Sequence, residues 1–215
     1  MTCSGSFHPT RRRWSWIVLA LLCVALFSGS ARAALIGDAA VPYSASRTVI
    51  SDGKTYVGRM WSAPGMQRHE QTINGVRMIV ILRADRHLLW LIAPDFKVYT
   101  ALPLPDTLIR YADRRELGAP VGAEPVGGVP ARKYRIRHRD QTGAEADGWL
   151  WMDRDGIVRK ISGLYTTANG RKTPVTIFLS DLRTGAQDPD LFEVPPDMQM
   201  LPPQAVAPLL GLRLQ

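Results

Sequence analysis

The chain has 215 residues, 46% of them hydrophobic, with 27 Lys and Arg against 19 Asp and Glu for a formal net charge of +8. That length and apolar content exclude a disordered or fibrous chain and suit one domain with a sizeable core. The charge is spread along the chain rather than gathered in a stripe, so nucleic acid is not expected as a partner.

Residues 1–33 read as a cleavable signal peptide. Arg11-Arg12-Arg13 forms a basic n-region, Trp14 to Phe27 is an almost unbroken apolar run, and Ala31 and Ala33 supply the small residues of an A-x-A site. The run of 14 residues is short against the roughly 20 of a membrane span. No stable span is therefore expected after cleavage. Removing the leader and its four arginines leaves 23 basic against 19 acidic residues, a net charge of +4. Both cysteines, Cys3 and Cys23, lie in the leader, so the rest of the chain has no disulfide and no thiolate metal site. An exported chain without cysteine suits a bacterial periplasm.

After the leader the chain reads as a β domain over 34–196, followed by a Pro-rich tail over 197–215 expected to lie on the surface or fray. Strands are predicted at 44–51, 54–63, 66–73, 76–83, 86–93, 96–102, 131–139, 146–153, 157–166 and 173–183. Asp52-Gly53, Pro64-Gly65, Asn74-Gly75, Ala84-Asp85, Pro94-Asp95 and Arg154-Asp155-Gly156 supply the turns between them. Such close spacing leaves no room for crossover helices, so the sheet is expected to be antiparallel and sequentially paired. One helix is predicted, from Pro105-Asp106 through Thr107 to Leu117, with Leu104, Leu108 and Ala112 on one stripe and Gly118 as its stop. Residues 118–130 form a Gly- and Pro-rich connection. The fold class expected is mainly β: an open antiparallel sheet or incomplete barrel of about ten strands wrapped round one or more helices.

Residues flanking a two-residue turn oppose each other and share a face. Pro64-Gly65 then sets Met60 against His69, and Asn74-Gly75 sets His69 against Val80. Ala84-Asp85 sets Arg83 against Arg86 and Val80 against Leu89; Pro94-Asp95 sets Ala93 against Phe96 and Leu91 against Val98. One face so defined carries Tyr56, Met60, His69, Met78, Val80, Leu82, Leu89, Leu91, Phe96 and Val98. The other mixes Arg59, Trp61, Arg68, Glu70, Arg77, Ile79, Arg83, Arg86, Trp90, Lys97 and Tyr99, and is expected to face water. The apolar face exceeds what one helix of about 12 residues covers. The leftover concavity is a place for a lipophilic guest, and the same pattern fits an interior filled by its own side chains. The ligand-binding candidates are Tyr56, Met60, Met78, Val80, Leu82, Leu89, Leu91, Phe96 and Val98.

Catalytic and metal signatures are missing from the sequence. His69, His87 and His138 stand at no metal-ligand spacing, and there is no G-x-S-x-G, P-loop or dinucleotide fingerprint. His69 and Glu70 are neighbours on a strand and point to opposite faces, which argues against an acid–base pair. No catalytic residue, metal or cofactor is expected. Lys133, Arg135, Arg137 and Arg139 alternate onto one strand face, read here as a solvated face that discourages aggregation. Trp149 and Trp151 share a face of the next strand and read as a core or rim pair.

The segment ILRADRHLLWLIAPDFKVYTALPL, residues 81–104, resembles LolA-like periplasmic proteins of the outer-membrane lipoprotein-sorting superfamily. Its pattern is an apolar strand, Arg-x-Asp, a strand with a central Trp, a Pro-Asp turn and Lys-x-Tyr. Arg68-x-Glu70, Gly148-Trp149-x-Trp151 and Asp188-Pro189-x-Leu191-Phe192-x-Val194-Pro195 extend the likeness over most of 55–196. The resemblance implies an incomplete antiparallel barrel closed by helices, with acyl chains of lipids or lipoproteins held on the concave side. It also implies an alternative: an RseB-like envelope-stress sensor or protein-interaction module, with an envelope protein as partner and no transport role.

Overall fold

The computed structural model describes residues 39, 41–73, 75–104, 117–139 and 143–211. The expected signal peptide lies outside the described residues, as does the expected helix except for Leu117. Twelve strands build one open sheet: β1 (Tyr43–Ser51), β2 (Lys54–Ala63), β3 (Met66–Ile73), β4 (Val76–Arg83), β5 (Leu88–Ala93), β6 (Val98–Pro103), β7 (Gly122–Val126), β8 (Val129–Arg139), β9 (Glu145–Met152), β10 (Val158–Thr166), β11 (Lys172–Thr184) and β12 (Gln199–Met200). The spatial order is β12-β6-β5-β4-β3-β2-β1-β11-β10-β9-β8-β7. Two sequential meanders therefore meet along β1 and β11. All pairs are antiparallel except β12 with β6. The ten expected strands are all present. The two added are β7, inside the Gly- and Pro-rich connection, and β12, in the expected tail.

Three two-residue turns act as their residues require. Ser51 opposes Lys54, Ala63 opposes Met66 and Ile73 opposes Val76. Asp52 and Gly53 both take positive φ, 49° and 72°, the conformation of a tight hairpin. The turns at Ala84 and Pro94 are longer than expected. Each is a 3-10 turn closed by a left-handed residue, His87 or Lys97, both at φ 53°. Arg83 thus opposes Leu88, not Arg86, and Ala93 opposes Val98, not Phe96. Val80 meets Leu91 and Leu91 meets Thr100. Both loops gain two residues, and side chains alternate with period two, so every later strand keeps its expected face. Phe96 and Lys97 do not: both sit in the turn, and Phe96, 47% exposed, leaves the inner wall.

Gly148 and Gly163 oppose each other on the inner face of β9 and β10. A Cβ on either would come within 2.5 Å of a carbonyl oxygen of the facing strand. Only glycine permits so close an approach of the two backbones.

The outer face of β3–β6 does not face water, which corrects the sequence reading. Residues 188–198 lie across it. Asp188 caps a 3-10 turn over Pro189–Phe192 by accepting the Asp190 N–H. Phe192 is fully buried in a cluster with Ile79, Ile81, Trp90 and Ile92, flanked by Trp61, Tyr99 and Leu191. Three arginines hold this segment. Arg68 donates to the Leu191 carbonyl at 2.9 Å, and Arg83 to the Phe192 carbonyl at 3.1 Å. Arg83 also forks onto Asp85 at 2.9 and 2.7 Å and pairs with Glu193, which Arg86 grips at 3.0 and 2.8 Å. The chain then rounds the sheet edge, where the Gln199 and Leu201 N–H groups donate to Lys97 and Tyr99 carbonyls. It then reaches the inner face as helix α1 (Pro203–Leu209), where Val206, Ala207 and the following Leu210 are buried. Residues 188–211 thus form a clip over both faces of one half of the sheet, its first part drawn from the expected β domain and its second from the expected tail.

Replacing Phe192 by Ala removes a fully buried ring, and a loss of about 3–5 kcal/mol is expected in denaturant unfolding. The clip is also acid-labile. The Arg83 hydrogen bonds hold Asp85 below its ordinary value; burial alone would raise Glu193, but its bonds from Arg83 and Arg86 outweigh that and lower it. Depressed carboxylates contribute stability that is present at neutral pH and lost as pH falls below about 4. Amide exchange across 188–200 is expected to accelerate there before exchange in β4 and β5, and to be fast already at pH 7 in Arg83→Gln. Exchange that stays uniform with the sheet in both cases would contradict this account.

Candidate binding face

The inner face of β4–β6 is an aliphatic wall. Met78, Val80 and Leu82 from β4, Leu89 and Leu91 from β5 and Val98 from β6 form one buried cluster with Ile73, Ala93 and Leu104. Tyr56 packs at its margin, half-buried. Seven of the nine sequence-expected wall residues therefore share one surface. Met60 lies on the same face but in a second cluster with Tyr43, Leu150, Ile157 and Leu179. Phe96 lies in neither. Val206, Ala207 and Leu210 belong to the wall cluster, so α1 occupies the surface that the sequence left open to a guest.

Between the two apolar clusters lies a buried polar island on β1–β3. Arg47 is 4% exposed, and Gln67, His69 and Gln71 are buried near it. The register sets Arg47 opposite Gly58 and Gly58 opposite Gln71. A Cβ at Gly58 would fall 2.2 Å from the Glu70 carbonyl oxygen, so no side chain fits between the two. His69 Nε2 lies 3.3 Å from Gln67 Oε1, and its Nδ1 has no hydrogen-bond partner. Burial first, and then the positive charge of Arg47, push the His69 imidazole well below its ordinary value of 6.5. It is neutral at pH 7. Of this island the sequence reading placed only His69 on the inner face. The Asp52-Gly53 turn, treated by the same arithmetic, places Arg47 there too.

On the outer face of β8–β10 the two tryptophans carry cations. Lys133 Nζ lies 4.9 Å from the ring centres of both Trp149 and Trp151; Arg135 stands 4.6 Å over Trp149 and Lys160 4.6 Å over Trp151. Trp151 Nε1 donates to Glu124, and Asp147 pairs with both Arg135 and Arg137. Asp153 accepts the Asp155 and Ile157 N–H groups and pairs with Arg159 at 2.7 Å, which locks a turn. Among the described residues no three metal-ligating side chains gather, and no helix is long and apolar enough to cross a membrane.

No family model and no curated protein matches the sequence. Solved structures do. An uncharacterized conserved protein from Thermus thermophilus is 12% identical at a TM-score of 0.51, over 85% of this chain and 98% of that one. MucB in its complex with MucA from Pseudomonas aeruginosa is 20% identical at 0.48, over 79% of this chain and 61% of that one. A LolA superfamily protein from Nitrosomonas europaea is 11% identical at 0.39, over 75% and 94%. At such identities the likeness is one of fold. The mainly β, open antiparallel sheet expected from the sequence is the architecture observed.

A histidine kept neutral by burial makes stability fall in mild acid. Above pH 6.5 neither state binds the proton; below it the unfolded chain does and the folded one does not. Stability is expected to drop by up to about 1.4 kcal/mol per pH unit from there downward. The slope between pH 6.5 and 5 is expected to flatten in His69→Gln when unfolding is followed by urea titration.

Proposed function

We propose that the chain is an exported, non-catalytic binding protein that takes a lipophilic ligand, an acyl chain of a lipid or lipoprotein, on the inner face of β4–β6. The observation that carries this reading is the aliphatic wall of Met78, Val80, Leu82, Leu89, Leu91 and Val98, covered in part by a short terminal helix. A helix of seven residues is not stable alone in water, and α1 has no side-chain N-cap and contains Pro208. It is therefore held by the wall and is the element a ligand displaces. Each methylene buried in its place contributes about 0.8 kcal/mol. The basic, apolar and small-residue pattern of residues 1–33 supports delivery to the periplasm.

One observation favours a second reading. The wall is filled by the chain's own Val206, Ala207 and Leu210, which suits a protein-interaction or sensor module that carries no lipid.

Two measurements separate them. Native mass spectrometry of protein purified from the periplasm is expected to show retained acyl species. A fluorescent fatty-acid probe is expected to bind at least several-fold more tightly to a chain ending at Leu201 than to the full chain. If neither form binds the probe and no lipid is retained, the lipid reading fails and the interaction module stands.

A further inference from the structure

We propose that the uncovered half of the outer face, over β1, β2 and β8–β11, docks on an anionic lipid bilayer. The clip at 188–198 covers the outer face over β3–β6. It does not reach the other half, and there the alternation of the strands lines up two rows. One runs Val57, Thr48, Phe178, Lys160, Trp151, Lys133. The next runs Ile50, Thr176, Ser162, Trp149, Arg135. Val57 is 64% exposed, Ile50 39% and Leu164, on the same face of β10, 37%. Ile50 and Val57 are diagonal neighbours on this face of β1 and β2.

The charge on this face has one sign in excess. On β7–β10 five cations, Lys133, Arg135, Arg137, Arg139 and Lys160, stand against three carboxylates, Glu124, Glu145 and Asp147. Asp147 alone answers two arginines, and Arg137 remains 75% exposed. Lys133 and Lys160 set their ammonium groups over the tryptophan rings, 4.9 and 4.6 Å from the ring centres. Aliphatic tips, tryptophan and cations on one face are the side chains that sit at a bilayer's head-group level. An acidic polypeptide would answer the cations but leave Val57, Ile50 and Leu164 without a partner, and so the observations favour the lipid surface. This docking does not depend on what the inner face holds.

Flotation of the leader-free chain with vesicles tests it. Recovery with phosphatidylglycerol-containing vesicles is expected to exceed that with pure phosphatidylcholine vesicles by about tenfold, and to fall as salt rises from about 0.05 M to about 0.5 M. Arg137→Glu and the pair Val57→Ser, Ile50→Ser are each expected to lower recovery several-fold at an unchanged melting temperature. These positions are exposed, so the variants fold. Equal recovery on both vesicle types, no recovery, or unaffected variants would overturn the proposal. Binding of poly-glutamate without vesicle binding would do the same and assign the face to an acidic protein.

Discussion

The guanidinium of Arg83 joins elements that are far apart in sequence. It forks onto Asp85 within the β4–β5 turn and reaches the Phe192 carbonyl and Glu193 on the terminal segment. Its side chain is 6% exposed, so its charge is tolerable only while these acceptors stay in place. That requirement fixes residues 191–193 against β4 and seats Phe192 among Ile79, Ile81, Trp90 and Ile92. With Phe192 seated, the following chain pairs as β12 along the outer edge of β6, and α1 arrives on the inner face. The covering of both faces of β3–β6 therefore descends from one buried cation and its carboxylates.

The face assignment was legible because it depends on parity alone. Ile73 opposes Val76 and Ala63 opposes Met66, as two-residue loops require, and this gives the register of β2–β4 directly. Ala84-Asp85 and Pro94-Asp95 do not form such loops, since His87 and Lys97 adopt left-handed backbone and lengthen each loop by two residues. An even error moves partners along the strand but leaves them on their side of the sheet. An odd one would have turned Leu89 and Leu91 outward. Phe96 was lost because a residue inside a loop has no parity.

The double covering was less legible, though a signal for it was present. VRMIVILR and LLWLIA are near-continuous apolar runs, the mark of strands buried on both faces, while β1 alternates between buried and more exposed residues. The arginines at 59, 68, 83 and 86 disguised this. Charges on a strand face ordinarily mean water; here Arg68 and Arg83 are buried with polar partners drawn from a segment more than a hundred residues away. Nothing local announces such a partner. β7 escaped for a different reason. Gly127-Gly128, which reads as a flexible connection, is the turn of the β7–β8 hairpin, and Pro125 suits an edge strand that needs no outward donor.

The clip also bears on what the inner face can accept. Fully burying Val206 and Leu210 is worth about 2–3 kcal/mol each, so α1 sets a threshold rather than a seal. A ligand must bury more than about six methylenes to outweigh those two side chains at about 0.8 kcal/mol apiece. Short-chain solutes fall below that mark and long acyl chains lie well above it. Under the proposed reading, discrimination by chain length follows from the size of the helix and needs no specific contact. It also predicts where the threshold moves: Leu210→Ala lowers it by a few methylenes, measurable as tighter binding of shorter fatty-acid probes, whereas an unchanged chain-length profile would mean that ligands enter elsewhere on the sheet.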